Sequence, residues 1–137
     1  MKQPLLLDTC ACLWLMGDEL MPETERQLTE AYHAGLPTYV SPITALEIGQ
    51  MARKRRLKSP LLPHKWFATL VGQPGMALAQ LPPELLIESQ LLPGDIHNDP
   101  YDRIIAATAR EYGYTVVTRD RALLDYGVQG YLSTLAC

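Results

Sequence analysis

The stretch DPYDRIIAATAREYGYTVVTRD, residues 99–120, carries the order of elements from which the fold is read. Pro100 stands near the start of a helix over 99–113 and Gly113 at its end, the usual asymmetry of helix termini. YTVVTRD (114–120) then reads as a β-branched strand that ends in an acid. After Asp102 come Ile104, Ile105, Ala106, Ala107 and Ala109, small or aliphatic residues that let the helix lie close on a sheet. Asp99 and Asp102 thus enter a tightly packed place, where an acid is costly unless a cation meets it.

The same alternation continues in both directions. PLLLD (4–8) is a short apolar strand ending in an acid, and TCACLWLMG (9–17) a short helix stopped by Gly17. PETERQLTEAYHAG (22–35) opens on proline and closes on glycine, a helix signature. TYVSPI (38–43) reads as a strand, and TALEIGQMARKRRLK (44–58) as a helix with Thr44 as N-cap and a basic end that suits the dipole. HKWFATLVG (64–72) is a helix, MALAQLP (76–82) a strand and PELLIESQLLPG (83–94) a short helix. RALLDYG (121–127) makes one or two turns, and VQGYLSTL (128–135) is a weak last strand. Strand alternating with helix predicts an α/β fold with a parallel sheet covered on both faces.

The bulk numbers narrow the class. A chain of 137 residues is expected to form one domain, 1–137, with a single sizeable core. The net charge of −3 does not advertise a nucleic-acid binder, so any basic surface must be local. Three cysteines, Cys10, Cys12 and Cys137, suggest no disulfide framework and fit a reducing cytosol, where they serve as small buried apolar side chains. No apolar run reaches the length of a membrane span, and MKQPLLLDT is no signal peptide, so the expectation is a soluble, cytoplasmic protein.

In parallel sheets, function gathers beyond the carboxyl ends of the strands. Asp8 and Asp120 stand there, Glu47 lies about one turn into the helix after TYVSPI, and Asp102 opens the helix before YTVVTRD. Each acid has a local alternative. Asp8 and Asp120 serve as helix caps, Glu47 as an ordinary helix residue, and Asp102 as a partner of Arg103 or Arg119. Asp99 is well explained as an N-cap with Pro100 at the first helical position. Taken together, four acids directed to one rim point to hard oxygen ligands for Mg²⁺ or Mn²⁺. Such an ion lowers the pKa of a water and stabilises charge at phosphorus.

LLLDTCACLWL, SPITALEIGQM, DPYDRIIAATA and VVTRD resemble, in order and spacing, the motifs of PIN-domain ribonucleases, most closely the VapC-type toxins of bacterial toxin–antitoxin pairs. The likeness covers essentially the whole chain. It implies a three-layer α/β/α sandwich around a mainly parallel sheet and Mg²⁺- or Mn²⁺-dependent endoribonuclease activity. It also implies neutralisation by a cognate VapB-type antitoxin, in a homodimer or a toxin–antitoxin hetero-oligomer. Asp8, Glu47 and Asp102 match the family's central acids and Asp120 its more variable fourth. Thr9 and Thr118 match small polar positions near the metal, and Asp99 a supporting position. Tyr101 stands where many relatives carry phenylalanine, a mild change. VQGYLSTLAC matches poorly.

Among the remaining candidates, the run RKRRLK supplies Arg53, Lys54, Arg55, Arg56 and Lys58. It is read either as a solvated helix end or as a contact to RNA phosphates. Arg103 and Arg119 either hold neighbouring acids or meet substrate phosphate. His97 is read as a cap or surface residue, with a proton carrier as the alternative. Trp14, Leu15, Trp66 and Phe67 lie on apolar helices and supply core or a surface for a partner. No glycine-rich phosphate loop or nucleophile elbow occurs. Two further function classes stay open: a PIN-like module that binds RNA or protein without cleaving, and a Mg²⁺ phosphohydrolase of small phosphate esters.

Overall fold

A computed structural model describes residues 2–137. Five short strands alternate with seven helices. β1 (Leu5–Leu7) leads into α1 (Thr9–Met16) and α2 (Pro22–His33), and β2 (Thr38–Val40) into α3 (Pro42–Arg53) and α4 (Pro63–Val71). β3 (Met76–Leu78) is followed by α5 (Pro83–Glu88) and α6 (Pro100–Tyr112), and β4 (Thr115–Thr118) by α7 (Arg121–Val128) and β5 (Ser133–Ala136). All strand pairs are parallel, in the order β3-β2-β1-β4-β5. The expected α/β/α sandwich is the architecture formed.

The central strand shows why three layers are needed. Leu5, Leu6 and Leu7 are all buried, so β1 has no solvent face, as expected for a parallel strand covered on both sides. Leu5 and Leu7 join Val40, Val117, Ile48, Trp66 and Leu70 in one core beneath α1 to α4. Leu6 joins Val116, Ile105, Ala106, Ala109, Leu123 and Tyr126 in the other, beneath α6 and α7. The small residues of α6 bring that helix close to the sheet, as its sequence predicts. Trp66 is buried, and Trp14, Leu15 and Phe67 are half-buried against the same core. Cys12 and Cys137 are buried, whereas Cys10 is exposed; all three are free thiols.

Element ends depart from expectation where a local signal was outranked. Ser41 caps α3 through Ile43 N–H and Pro42 takes the first helical position, so β2 stops at Val40 and Thr44 lies inside the helix. α3 ends at Arg53, not at residue 58. Arg55 takes φ 57°, and its N–H and that of Arg56 return to the carbonyls of Ala52 and Met51. This is a Schellman closure with arginine at the left-handed position usually held by glycine. At the other end of the chain, α7 runs on to Val128 and the last strand is only Ser133–Ala136.

Candidate active site

The strand order reverses at β1 and β4, from which the chain leaves in opposite directions along the sheet. A crevice opens at such a switch point, beyond the carboxyl ends of the two strands. Asp8 follows β1 directly. Its Oδ1 accepts the Ala11 N–H at 2.8 Å, capping α1, and its Oδ2 accepts the Thr118 hydroxyl at 2.5 Å. Thr118 in turn accepts the Asp120 N–H at 2.9 Å, and Asp120 Oδ2 caps α7 through Leu123 N–H at 3.0 Å. One buried hydroxyl therefore ties the ends of the two central strands together. Burial pushes the Asp8 carboxyl above its ordinary value, opposed by the Thr118 and Ala11 bonds, with the Asp120 charge pushing it further up.

Glu47 reaches the same end from α3. Thr9 donates to its Oε1 at 2.5 Å and lies 3.0 Å from the Thr44 hydroxyl. With Thr9 donating to Glu47, Thr44 is the donor to Thr9. Burial raises the Glu47 carboxyl, the Thr9 bond lowers it, and the charges of Asp99 and Asp8 raise it again.

The third contribution comes from the start of α6. Asp99 is its N-cap, accepting from Tyr101 and Asp102 N–H at 2.8 and 3.1 Å. Asp102 is thereby free of capping and lies with its Oδ2 3.0 Å from His97 Nε2, which is also 4.0 Å from Asp120 Oδ2. One ligand atom each from His97, Asp102 and Asp120 lie within 4.8 Å of one another. The Asp102 carboxyl is raised to about 7, first by burial, then by the charges of Asp120 and Asp99; His97 opposes this and Asp8 adds to it. Among the described residues, no lysine or arginine forms an ion pair with any of these acids. The rim is acidic, with Arg119 offsetting the Asp8 charge only weakly, as the last of the influences on that carboxyl.

Both arginines beside the acids are engaged elsewhere. Arg103 donates to the carbonyls of Ser89, Ile96, His97 and Gln90 at 2.8 to 3.4 Å. Arg119 donates from Nε to the Cys137 carbonyl at 2.7 Å, and its guanidinium lies 3.6 Å from the Trp14 ring centroid. Neither partners Asp102; the Arg103 fork is taken up by backbone carbonyls, whereas Arg119 is exposed and its Nη groups form no hydrogen bond among the described residues. The basic residues of the run are exposed; Arg53 ends α3 and the rest lie in the loop beyond it. Arg53, Lys54 and Arg55 close the helix, whereas Arg56 and Lys58 border a groove of about 510 Å³ floored by Leu13, Trp14, Leu61 and Trp66. His97 is the exposed, turn-capping residue expected, its Nδ1 accepting the Asp99 N–H, and its Nε2 also reaches Asp102. The signal for that second contact was present in the spacing to Asp102, five residues along across an N-cap turn, but the turn's geometry was not legible there.

The PIN domain family profile matches residues 5–128. The chain belongs to the PIN domain family. Ribonuclease VapC22 of Mycobacterium tuberculosis (strain ATCC 25618 / H37Rv) is 30% identical over 87 residues, which are 64% of this chain and 65% of that relative. The matched part thus spans just under two thirds of the relative's length. In fold, the PIN domain resembles a chain of the crystal structure of VapBC2 from Rickettsia felis bound to a DNA fragment from their promoter. That likeness has a TM-score of 0.69 at 15% identity, over 96% of this chain and 97% of the other. Asp8, Glu47, Asp102 and the cap residue Asp99 all fall within the matched PIN segment, as do Thr118 and Asp120.

Proposed function

We propose that this PIN domain is a divalent-metal-dependent endoribonuclease and the toxin of a toxin–antitoxin pair. The observation that carries the reading is the rim itself: Asp102 and Asp120 meet with His97 at the switch point, Asp8 and Glu47 stand beside them, and no lysine or arginine forms an ion pair with these acids among the described residues. Asp8, Glu47 and Asp102, held above their ordinary pKa values first by burial and then by neighbouring acids, fit a hard cation such as Mg²⁺ or Mn²⁺, whose charge would offset both. Such an ion supplies a water nucleophile at neutral pH and stabilises charge at phosphorus. Asp8, Glu47, Asp102 and Asp120 would hold it.

The chain's other residues keep those acids in place. Thr118 and Thr9 each donate a hydroxyl to one acid, fixing a carboxylate oxygen while leaving further lone pairs open. Asp99 supports Asp102 by fixing the start of α6. Arg56 and Lys58, bordering the groove, are the best placed of the basic run to meet the RNA backbone, and the exposed Arg119 joins them as a candidate, whereas Arg103 holds backbone carbonyls. The name of the VapC22 relative supports ribonuclease chemistry, and the VapBC2 complex supports a cognate antitoxin as partner. An arginine from that partner would complement the acidic rim.

Cleavage of a structured RNA by the purified chain tests the reading, with Mg²⁺, with Mn²⁺ and with EDTA. Cuts that need the metal and leave 5′-phosphate ends support it. Binding without cleavage would favour a non-catalytic module, and turnover of small phosphate esters alone would favour a phosphohydrolase. A 2′-deoxy substitution at the cut position should not block the reaction, since water is the nucleophile. Loss of cleavage with binding preserved would instead indicate attack by the 2′-hydroxyl.

A further inference from the structure

His97 brings an imidazole to the acidic rim. Two roles compete for it: Nε2 is a ligand of the cation, or it serves a carboxylate that is. The other ring nitrogen decides between them. Nδ1 accepts the backbone N–H of Asp99 at 3.2 Å. A ring nitrogen that accepts an N–H carries no proton, so the ring's own N–H is on Nε2. That N–H faces Asp102 Oδ2 at 3.0 Å, with Asp120 Oδ2 farther off at 4.0 Å. A protonated Nε2 has no lone pair for a metal.

To become a ligand, the ring would have to move its proton to Nδ1, where it would oppose the Asp99 N–H, donor against donor. The surrounding turn resists a rearrangement that would avoid this. Asp99 is held by its own side chain on the Tyr101 and Asp102 amides. The carbonyls of Ile96 and His97 are clamped by Arg103 Nη1 at 3.1 and 3.3 Å. The sequence HNDPYDR is thus one hydrogen-bonded unit, running from Arg103 through the turn to His97 and on to Asp102.

We propose that His97 is a positioning residue of the metal site: an Nε2–H donor that orients the Asp102 carboxylate and does not ligate the cation. The inference rests on the metal-dependent reading above. It adds that the protein's contribution to the coordination sphere is all oxygen. Mg²⁺ and Mn²⁺ should therefore both serve, while metals that favour imidazole find no nitrogen ligand here. Outer hydrogen bonds of this kind set ligand orientation and metal affinity.

The test is Mn²⁺ titration of the full chain followed by electron paramagnetic resonance, with nitrogen spin-echo modulation as a second readout. Wild type, His97→Ala and His97→Gln are compared. The wild type should bind Mn²⁺ without imidazole nitrogen coupling. His97→Ala should bind roughly tenfold or more weakly, and His97→Gln should recover most of that loss, since its amide can donate to Asp102. Imidazole coupling in the wild type would overturn the proposal by making His97 a ligand, a readout that needs no variant to fold. A His97→Ala affinity equal to wild type, or a glutamine no better than alanine, would overturn it too. A wild type that binds no Mn²⁺ would instead overturn the metal reading, and this inference with it.

Discussion

Asp8 and Asp102 bring the same charge to one rim but differ in what else they do. Asp8 accepts on both oxygens, one capping α1 and one holding Thr118, so both roles weighed for it in the sequence, cap and rim acid, are combined in one side chain. Asp102 caps nothing, because Asp99 does. Opposite mutational signs follow. The Asp102 carboxyl rises from 3.8 to about 7 on folding, so between those values the native chain binds a proton that the unfolded chain has released. Its stabilising contribution is full below the unfolded value and is lost as pH rises through the folded one. In EDTA at about pH 8, Asp102→Asn should therefore melt at or above wild type, by about 1 kcal/mol, and the difference should vanish towards about pH 4. A mutant that melts clearly lower would make Asp102 a structural residue. Thr118→Val should do the reverse. It removes a buried donor to Asp8 and the acceptor of the Asp120 N–H, costing about 1–3 kcal/mol in a denaturant titration at neutral pH. An unchanged midpoint would remove Thr118 from the structural account.

At the scale of elements, legibility followed the strength of local signals. The bounds of α6 were readable because Asp99, Pro100 and Gly113 are unambiguous, and Gly113 does take φ 75°. The start of α3 was misread because Thr44 looked like a cap, while Ser41 and Pro42 supply a stronger start three residues earlier. Its end was misread for a different reason: the left-handed residue is Arg55, and no glycine marks the stop. That exception makes a prediction. Arg55 is exposed, and an L-residue other than glycine at positive φ costs about 1–2 kcal/mol, partly offset by the greater freedom of glycine when unfolded. Arg55→Gly should raise stability by about 0.5–1 kcal/mol, read as a shifted urea midpoint with an unchanged slope. A lower midpoint would mean that the arginine side chain contributes more than its backbone strain costs. The last strand was blurred because α7 and β5 share a short, weakly patterned segment, with Gly130 at φ 93° turning the chain between them.

For the whole molecule, the alternation of apolar strands and capped helices was enough to place four acids at one end of a parallel sheet. The strand order that puts Asp8 and Asp120 at its switch point was not readable, since it depends on which strands pair across the chain. Nor was the direction of the arginines, whose backbone partners are set by loops. The acids' mutual repulsion belongs to this scale too, because each is carried by a different segment. Mg²⁺ or Mn²⁺ binding to the native state alone should raise the melting temperature of the wild type, by about 2.7 kcal/mol at a hundredfold excess over the dissociation constant. Asp102→Asn should show a smaller rise, and equal shifts in the two proteins would place the cation elsewhere. Whether these acids act as one metal-dependent site for RNA hydrolysis is decided by single-turnover RNA cleavage with folded wild type and folded Asp102→Asn, each in Mn²⁺ and in EDTA. The predicted result is cleavage by wild type in Mn²⁺ only, with the mutant slower by about a hundredfold or more, equivalent to ~2.7 kcal/mol of barrier. Cleavage by Asp102→Asn at the wild-type rate, or by wild type in EDTA, would contradict it.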